Sequence, residues 1–111
     1  MRLTQKLKDF RDLIAPTCDT VYHYWRQDKT YPCIVWEEDG EDTSFFVDNR
    51  KKAQALSGSL HYFTHTEYDE TIDAIQEALD GSPEVVFAIN SVQFEDDTNL
   101  IHYEWRWIIY G

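Results

Sequence analysis

Two stretches of the chain repeat their apolar residues with the period of an α-helix. Over residues 2–15 one face carries Leu3, Leu7, Phe10 and Ile14. Pro16 ends this stretch, because the residue before a proline avoids the helical region. The second helix is predicted to begin with a capping box at Thr66 and Asp69 and to end at Gly81 in a left-handed conformation. Its apolar stripe consists of Tyr68, Ile72, Ile75 and Leu79. Both helices are therefore predicted to cover a core with one face.

Outside the helices the apolar residues alternate with a period of two, which indicates β-strands. The predicted strands are Thr20–Trp25, Tyr31–Glu37, Ser44–Asp48, Gly58–Thr64, Glu84–Glu95 and Leu100–Tyr110. Asp39-Gly40 is typical of a tight hairpin turn between two of them. In the fifth strand the apolar phase changes near Asn90-Ser91, which predicts a β-bulge.

The predicted order of elements is α-β-β-β-β-α-β-β, which favours an α+β fold. We expect a mostly antiparallel sheet with two helices on one face, because short polar turns join the strands. The 111 residues are the usual size of one domain. We expect a single domain over 1–111, with an N-terminal helix in 1–16 and an α+β core in 17–111. Neither a membrane-spanning run nor a secretory signal is recognisable, so a cytoplasmic protein is expected.

The charge balance changes the expected partners. Lys and Arg number 10 and Asp and Glu number 21, a formal net charge of −11. Binding to nucleic acid or to an anionic membrane requires a basic face. Outside the first helix, only Arg50-Lys51-Lys52 forms a basic run. We therefore expect neither nucleic acid nor a membrane as a partner.

The four histidines do not predict a metal site. His61 and His65 are four residues apart on a strand, which places their Cα atoms roughly 13 Å apart, too far for one zinc ion. His23 and His102 could approach each other only through sheet pairing, and no other Cys or His has a suitable spacing. A zinc site needs three or four ligands, so we expect no metal site.

No motif of an enzyme is present. The carboxylates near Asp39 and along the second helix are typical of solvated acidic faces and do not form an EF-hand loop. The chain has neither a G-x-S-x-G elbow nor a glycine-rich phosphate loop. Cys18 and Cys33 lack the CxxC spacing and are expected to be reduced thiols. We therefore expect no catalytic residues and no cofactor.

Aromatic residues are the more informative excess, at 15% of the chain. They could simply fill a thin core. In the last predicted strand, however, both faces carry bulky apolar side chains, and a two-layer fold covers only one face. Exposed apolar patches mark association surfaces. We therefore hypothesise that the uncovered face or edge of the sheet meets another subunit.

A series of short segments follows a characteristic order over residues 20–110. They are Y-P-C-I-V-W (Tyr31–Trp36), an acidic hairpin leading to F-F-V-D-N (Phe45–Asn49), Y-F-T-H-T (Tyr62–Thr66), the Glu67–Leu79 helix, and Ser91–Trp107 with its F-E-D-D-T and I-H-Y motifs. Together they resemble the short tail-terminator, or tail-completion, proteins of long-tailed phages and of prophages in bacterial genomes.

The resemblance implies an α+β fold, no catalysis and a structural role. Such proteins are ring-forming caps, usually hexameric, that stop polymerisation of the tail tube and dock the tail to the head connector. The implied partners are further copies of the chain, tail-tube proteins and head-connector proteins, in the bacterial host cytoplasm during assembly and then in the virion tail. The implied contact residues are Asp48, Asn49, Arg50, Lys51 and Lys52, together with Arg26 and Lys29 of the polar turn. Rings are built from heterologous contacts, in which one patch meets a different patch on the neighbour.

Two other hypotheses compete with a tail subunit. A small, strongly acidic protein could mimic DNA and occupy the site of a nucleic-acid-binding defence enzyme, although the basic run at residues 50–52 interrupts the acidic strip. A hydrolase would instead require two carboxylates with different pKa values in one cleft.

Overall fold

The computed structural model describes residues 1–42, 46–47, 50–51 and 54–111, with only the backbone of 46–47 and 50–51. The helices are α1 (Leu3–Ile14) and α2 (Glu70–Asp80), and a 3₁₀ turn covers Ala15–Thr17. The strands are β1 (Val21–His23), β2 (Cys33–Glu41), β3 (Phe46–Val47), β4 (Arg50–Lys51), β5 (Ala55–Thr64), β6 (Val85–Glu95) and β7 (Leu100–Tyr110).

Five of the strands form one mixed sheet in the order β1-β2-β5-β7-β6. β1 runs parallel to β2, and the other three pairs are antiparallel. The predicted α+β fold is therefore confirmed. The predicted order α-β-β-β-β-α-β-β is wrong in detail, because the main sheet follows α-β-β-β-α-β-β. The expected strand Ser44–Asp48 does not join this sheet: Phe46–Val47 pairs with Arg50–Lys51 in a separate ladder, and its other residues lie outside the described part of the chain.

The helices bury their apolar faces against one side of the main sheet. Trp36, Leu60 and Trp105 lie opposite one another on three neighbouring strands, and each is at most 2% exposed. Phe10 and Ile14 of α1 and Ile75 and Leu79 of α2 join the same cluster. The Phe10 ring centroid lies 4.4 Å from that of Trp107. Because a buried side chain of this size stabilises the fold by about 1.5–3 kcal/mol, α1 is an integral part of the core.

Two irregularities in the strands bear on the sequence predictions. The register of β6 against β7 shifts between Ile89 and Ser91, which confirms the predicted bulge. The expected hairpin turn at Asp39-Gly40 is wrong. β2 continues to Glu41 opposite β5, and its register shifts between Glu38 and Gly40. The glycine therefore marks a bulge within a longer strand, which is its other common role in a sheet.

The second helix begins one turn later than predicted. Its N-cap is Asp69, whose carboxylate accepts from the Thr71 N–H at 2.9 Å, and not Thr66. Tyr68 has a left-handed backbone (φ 57°) and is 88% exposed, so it does not belong to the buried stripe. Gly81 is right-handed rather than left-handed, and its N–H donates to the Glu77 carbonyl. The helix nevertheless ends at the predicted place.

Cys18 and Cys33 are both free thiols. Burial raises the pKa of each thiol above its ordinary value, which keeps both in the unreactive protonated form at neutral pH. Among the described residues, the two helices are too short and too polar to cross a membrane.

Candidate functional site

One of the two edges of the main sheet is formed by β6, a strand of 11 residues. Soluble proteins usually protect such an edge by keeping it short or by placing charges along it. Here the apolar side chains of Val86, Ile89, Val92 and Phe94 are 50–58% exposed. A long, apolar and exposed edge strand is a template for association with another chain.

Three of these four side chains lie on the face that the helices cover, whereas Val86, opposite Ile108, lies on the other face. Ile89, Val92 and Phe94 stand opposite Trp105, Tyr103 and Ile101, on the face that the helices cover. Near the start of β6, Val85 and Phe87 pack against the core cluster. Farther along the strand the apolar pattern continues, but the side chains are half exposed or more. The apolar surface on this face of the sheet is therefore larger than the area that α1 and α2 cover.

A groove of about 820 Å³ adjoins this uncovered part of the sheet. Its apolar lining comes from Tyr68, Ile72, Phe94, Ile101 and Tyr103, and its polar lining from His65, Glu67, Asp69, Asp73 and Asn99. Burial and the negative charges of Asp69 and Glu67 raise the pKa of the Tyr103 hydroxyl. The groove therefore combines an apolar floor with a negative potential, which suits a segment that is both apolar and basic.

Asp69 is held in place at the inner side of this groove by two side-chain donors besides the helix cap. The Tyr62 hydroxyl donates to its Oδ2 at 2.5 Å and the Thr64 hydroxyl to the same atom at 2.8 Å. Burial opposes ionisation of Asp69, but these hydrogen bonds and that from Thr71 outweigh it and lower the pKa of the carboxyl. The carboxylate is thus fixed in its charged form.

The opposite face of the sheet carries a polar cluster that neither α1 nor α2 covers. His61 on β5 lies directly opposite Glu104 on β7, and His102 is two residues before Glu104. His61 Nδ1 lies 2.8 Å from His102 Nε2. Burial and the neighbouring His61 charge lower the pKa of His102. Beside them, Arg106 binds both carboxylate oxygens of Asp39, at 2.5 and 3.1 Å.

This histidine pair corrects an expectation from the sequence. Chain spacing indicated that no two histidines come together except His23 and His102 through sheet pairing. His23 instead stacks on Trp36 at 3.8 Å and pairs with Glu38. The pairing of β5 with β7 brings His61 to His102 across 41 residues of sequence, which chain spacing alone does not reveal. The only sequence signal is the alternation of His102 and Glu104 on one face of a predicted strand.

The predicted contact residues lie in different environments in the structure. Arg26 is half-buried, donates to the Tyr31 hydroxyl, and lies 5.1 Å from the centre of the Tyr31 ring, so its contacts are internal. Lys29 is exposed on the loop before β2. Arg50 and Lys51 form β4, and Asp48, Asn49 and Lys52 lie outside the described residues. Sequence reasoning did not single out β6 as the exposed edge, although it predicted the apolar pattern of that strand.

No protein-family model matches the chain, and no curated protein does either. Function is therefore inferred from the geometry of the described residues.

Proposed function

We propose that this protein is a structural subunit that assembles with copies of itself, as a ring-forming tail terminator or head–tail joining protein of a phage or prophage tail. The observation that carries the proposal is the β6 edge, with four apolar side chains at least half exposed. Ring assembly buries such an edge in every subunit. The resemblance of the sequence segments to tail-terminator proteins supplies the biological setting.

A closed ring needs two different patches on each subunit. The first patch is the β6 edge with the adjoining groove, which is apolar and negatively charged. The second is the segment of residues 45–52, where the sequence places Phe45, Phe46 and Val47 next to Arg50, Lys51 and Lys52. Apolar and basic residues in one short segment match the apolar and acidic lining of the groove. The docking of this segment on the neighbour's groove is the contact that we propose.

The first prediction concerns the β6 edge. The wild-type protein is expected to form rings of about six subunits, seen by light scattering across protein concentration and salt and by negative-stain imaging. Phe94→Glu places a charge in the centre of the contact and should weaken each interface by about 2 kcal/mol or more, as at an interface hot spot. Leu3→Glu is the matched control, since Leu3 is 43% exposed on α1 and the substitution adds the same charge. Rings that survive Phe94→Glu, or a wild-type protein that stays monomeric up to millimolar concentration, contradict the proposal.

The second prediction concerns the segment of residues 45–52. Arg50→Glu combined with Lys51→Glu should leave the monomer folded and weaken the ring, because two attractive charges become repulsive. Adding Glu67→Lys and Asp73→Lys in the groove should restore assembly. An unchanged oligomer in the first variant removes this segment from the interface, and a lack of rescue in the second places its partner elsewhere.

A DNA mimic receives less support from the contacts. Mimicry requires a strip of free carboxylates, and two of the acids near the β2 bulge are occupied within the chain. Asp39 is bound by Arg106 through two hydrogen bonds, and Glu38 lies 2.7 Å from His23 Nε2. Tight binding to a nuclease at low salt by a monomeric protein would favour the mimic over the ring subunit.

A further inference from the structure

The cluster on the open face of the sheet has the composition of a metal site. His61 and Glu104 are directly opposed on β5 and β7, and His102 lies diagonally across from His61. In an antiparallel pair, opposed and diagonal side chains are the ones that can converge on one point. The three side chains are partly buried, with His61 19% and Glu104 21% exposed. One ligand atom from each lies within 4.8 Å of the others.

Two of the three distances between ligand atoms are close to those around a tetrahedral ion. Zinc–nitrogen bonds of about 2.0–2.1 Å in tetrahedral geometry require ligand atoms roughly 3.3 Å apart. His61 Nδ1 lies 2.8 Å from His102 Nε2 and 3.6 Å from Glu104 Oε1. These two distances lie on either side of the required value, and the third, from His102 to Glu104, is at most 4.8 Å. Movements of at most about 1.5 Å therefore admit an ion.

The surrounding side chains orient the three ligands. Glu104 Oε2 accepts from the Asn90 amide at 2.6 Å, which leaves Oε1 for the cluster. On the far side of the His61 ring, Nε2 lies 3.8 Å from Glu37 Oε1, so a carboxylate faces the nitrogen that does not point at the cluster. A metal-binding histidine usually donates its other ring N–H to a carboxylate, which here requires Glu37 to approach by about 1 Å. The Phe63 ring stacks on His102 at 4.3 Å and restricts its rotation.

We propose that His61, His102 and Glu104 bind one divalent transition-metal ion of the zinc class. Two imidazoles and one carboxylate suit zinc or copper, whereas magnesium and calcium prefer oxygen ligands alone. A pocket of about 300 Å³ adjoins the two histidines, and its other lining residues are Tyr24, Trp25, Arg26, Val35, Glu37 and Phe63. Three protein ligands with one open position is the arrangement of zinc sites that accept a further ligand. The proposal departs from the expectation of no metal, which rested on chain spacing and on the number of available ligands.

Direct binding to the full chain, prepared without a polyhistidine tag, tests the site. After treatment with a chelator, the wild-type protein should bind one equivalent of Zn²⁺ in a calorimetric titration and should not bind Mg²⁺ or Ca²⁺ at the same concentrations. Co²⁺ in place of Zn²⁺ should give the visible absorption of a tetrahedral ion. Failure to bind Zn²⁺ at micromolar protein concentration, or equal binding of Mg²⁺, overturns the proposal.

Variants then locate the ion. His61→Gln and His102→Gln should each weaken Zn²⁺ binding by more than about 100-fold, and Glu37→Gln by about 10-fold, as expected for a partner of a ligand. His65→Gln is the matched control, since His65 directly follows β5, is exposed, and contacts the Asn99 carbonyl. Undiminished binding in the first two variants, or an equal loss in the control, contradicts the assignment.

A measurement on the wild-type protein covers the case in which a variant does not fold. Diethyl pyrocarbonate modifies accessible imidazole nitrogens, and peptide mass spectrometry identifies the modified residue. Zn²⁺ should protect His61 and His102 while His23 and His65 keep their rates of modification. Equal protection of all four histidines, or of none, rejects the site.

Discussion

Gly58→Ala is expected to destabilise the protein severely. Gly58 lies in β5, the central strand of the sheet, between Glu38 and Trp107. A Cβ added there would lie 2.1 Å from the Glu37 carbonyl oxygen and 2.3 Å from Cζ2 of the Trp107 ring. Neither neighbour can move freely, because one is backbone and the other is a completely buried indole. Such overpacking costs about 3 kcal/mol or more, a large share of the roughly 5–15 kcal/mol that stabilises a small domain.

The measurement is thermal or urea unfolding followed by circular dichroism. We expect the Tm of the Gly58→Ala protein to fall by more than about 10 °C. Gly40→Ala is the matched control, because a Cβ at Gly40 meets no atom within 4 Å and the backbone there is not left-handed. The control should unfold close to the wild type. Similar unfolding of both variants would show that Trp107 does not pack over Gly58 as described.

Asp69→Ala is the second substitution with a large expected effect. It removes the N-cap of α2, which is worth about 1 kcal/mol. It also leaves the buried Tyr62 hydroxyl without its acceptor, which costs about 1–3 kcal/mol. We expect a loss of about 2–4 kcal/mol in the free energy of unfolding at pH 7. Asp73→Ala, an exposed acid in the first turn of the same helix, should cost less than about 1 kcal/mol.

The pH dependence of this effect has a definite sign. Because the folded-state pKa of Asp69 is lowered, its charge stabilises the fold fully above the unfolded pKa of about 3.9. That contribution is lost as the pH falls from there through the folded pKa. Asp69→Asn keeps a capping oxygen but has no charge, so its difference from the wild type should shrink in urea unfolding below pH 4. A difference that is constant from pH 7 to pH 2.5 would contradict the role of the charge.

Tyr62, which donates a hydrogen bond to Asp69, makes the stability of the same network decrease at alkaline pH. Burial and the hydrogen bond to Asp69 raise the pKa of Tyr62 to about 12 from 10. The unfolded tyrosine ionises first as the pH rises, so this contribution to stability is present below pH 10 and declines above it. The network therefore stabilises the start of α2 over the whole neutral range.

Local patterns were sufficient for much of this fold because they depend on which face of an element is buried. The stripes ending in Ile14 and Leu79 identified both helices. The change of phase at Asn90-Ser91 located the bulge in β6 before any partner strand was known. Tyr68 shows the limit of such patterns. It continues the apolar stripe of α2, but it lies before the N-cap and is exposed.

The choice of neighbouring strands follows a different logic, because it depends on contacts between residues far apart in the chain. The sequence Asp39-Gly40 is compatible with a hairpin turn and with a bulge. The structure has the bulge, because β2 continues past these residues in its pairing with the long strand β5. The parallel pairing of β1 with β2 and the exposed position of β6 are also properties of the sheet order. The amino-acid pattern of β1, β2 and β6 does not by itself predict either property.

The sequence by itself therefore determined the helices, most of the strands, the apolar faces and the acidic character of this protein, since each depends on neighbours within a few residues. The tertiary structure decided which apolar surface remains uncovered and which polar side chains meet. Val92 and Phe94 became an exposed edge because α2 does not extend over them. His61 and His102 became one cluster because β5 and β7 are adjacent, and only the pairing of the strands places such distant residues together.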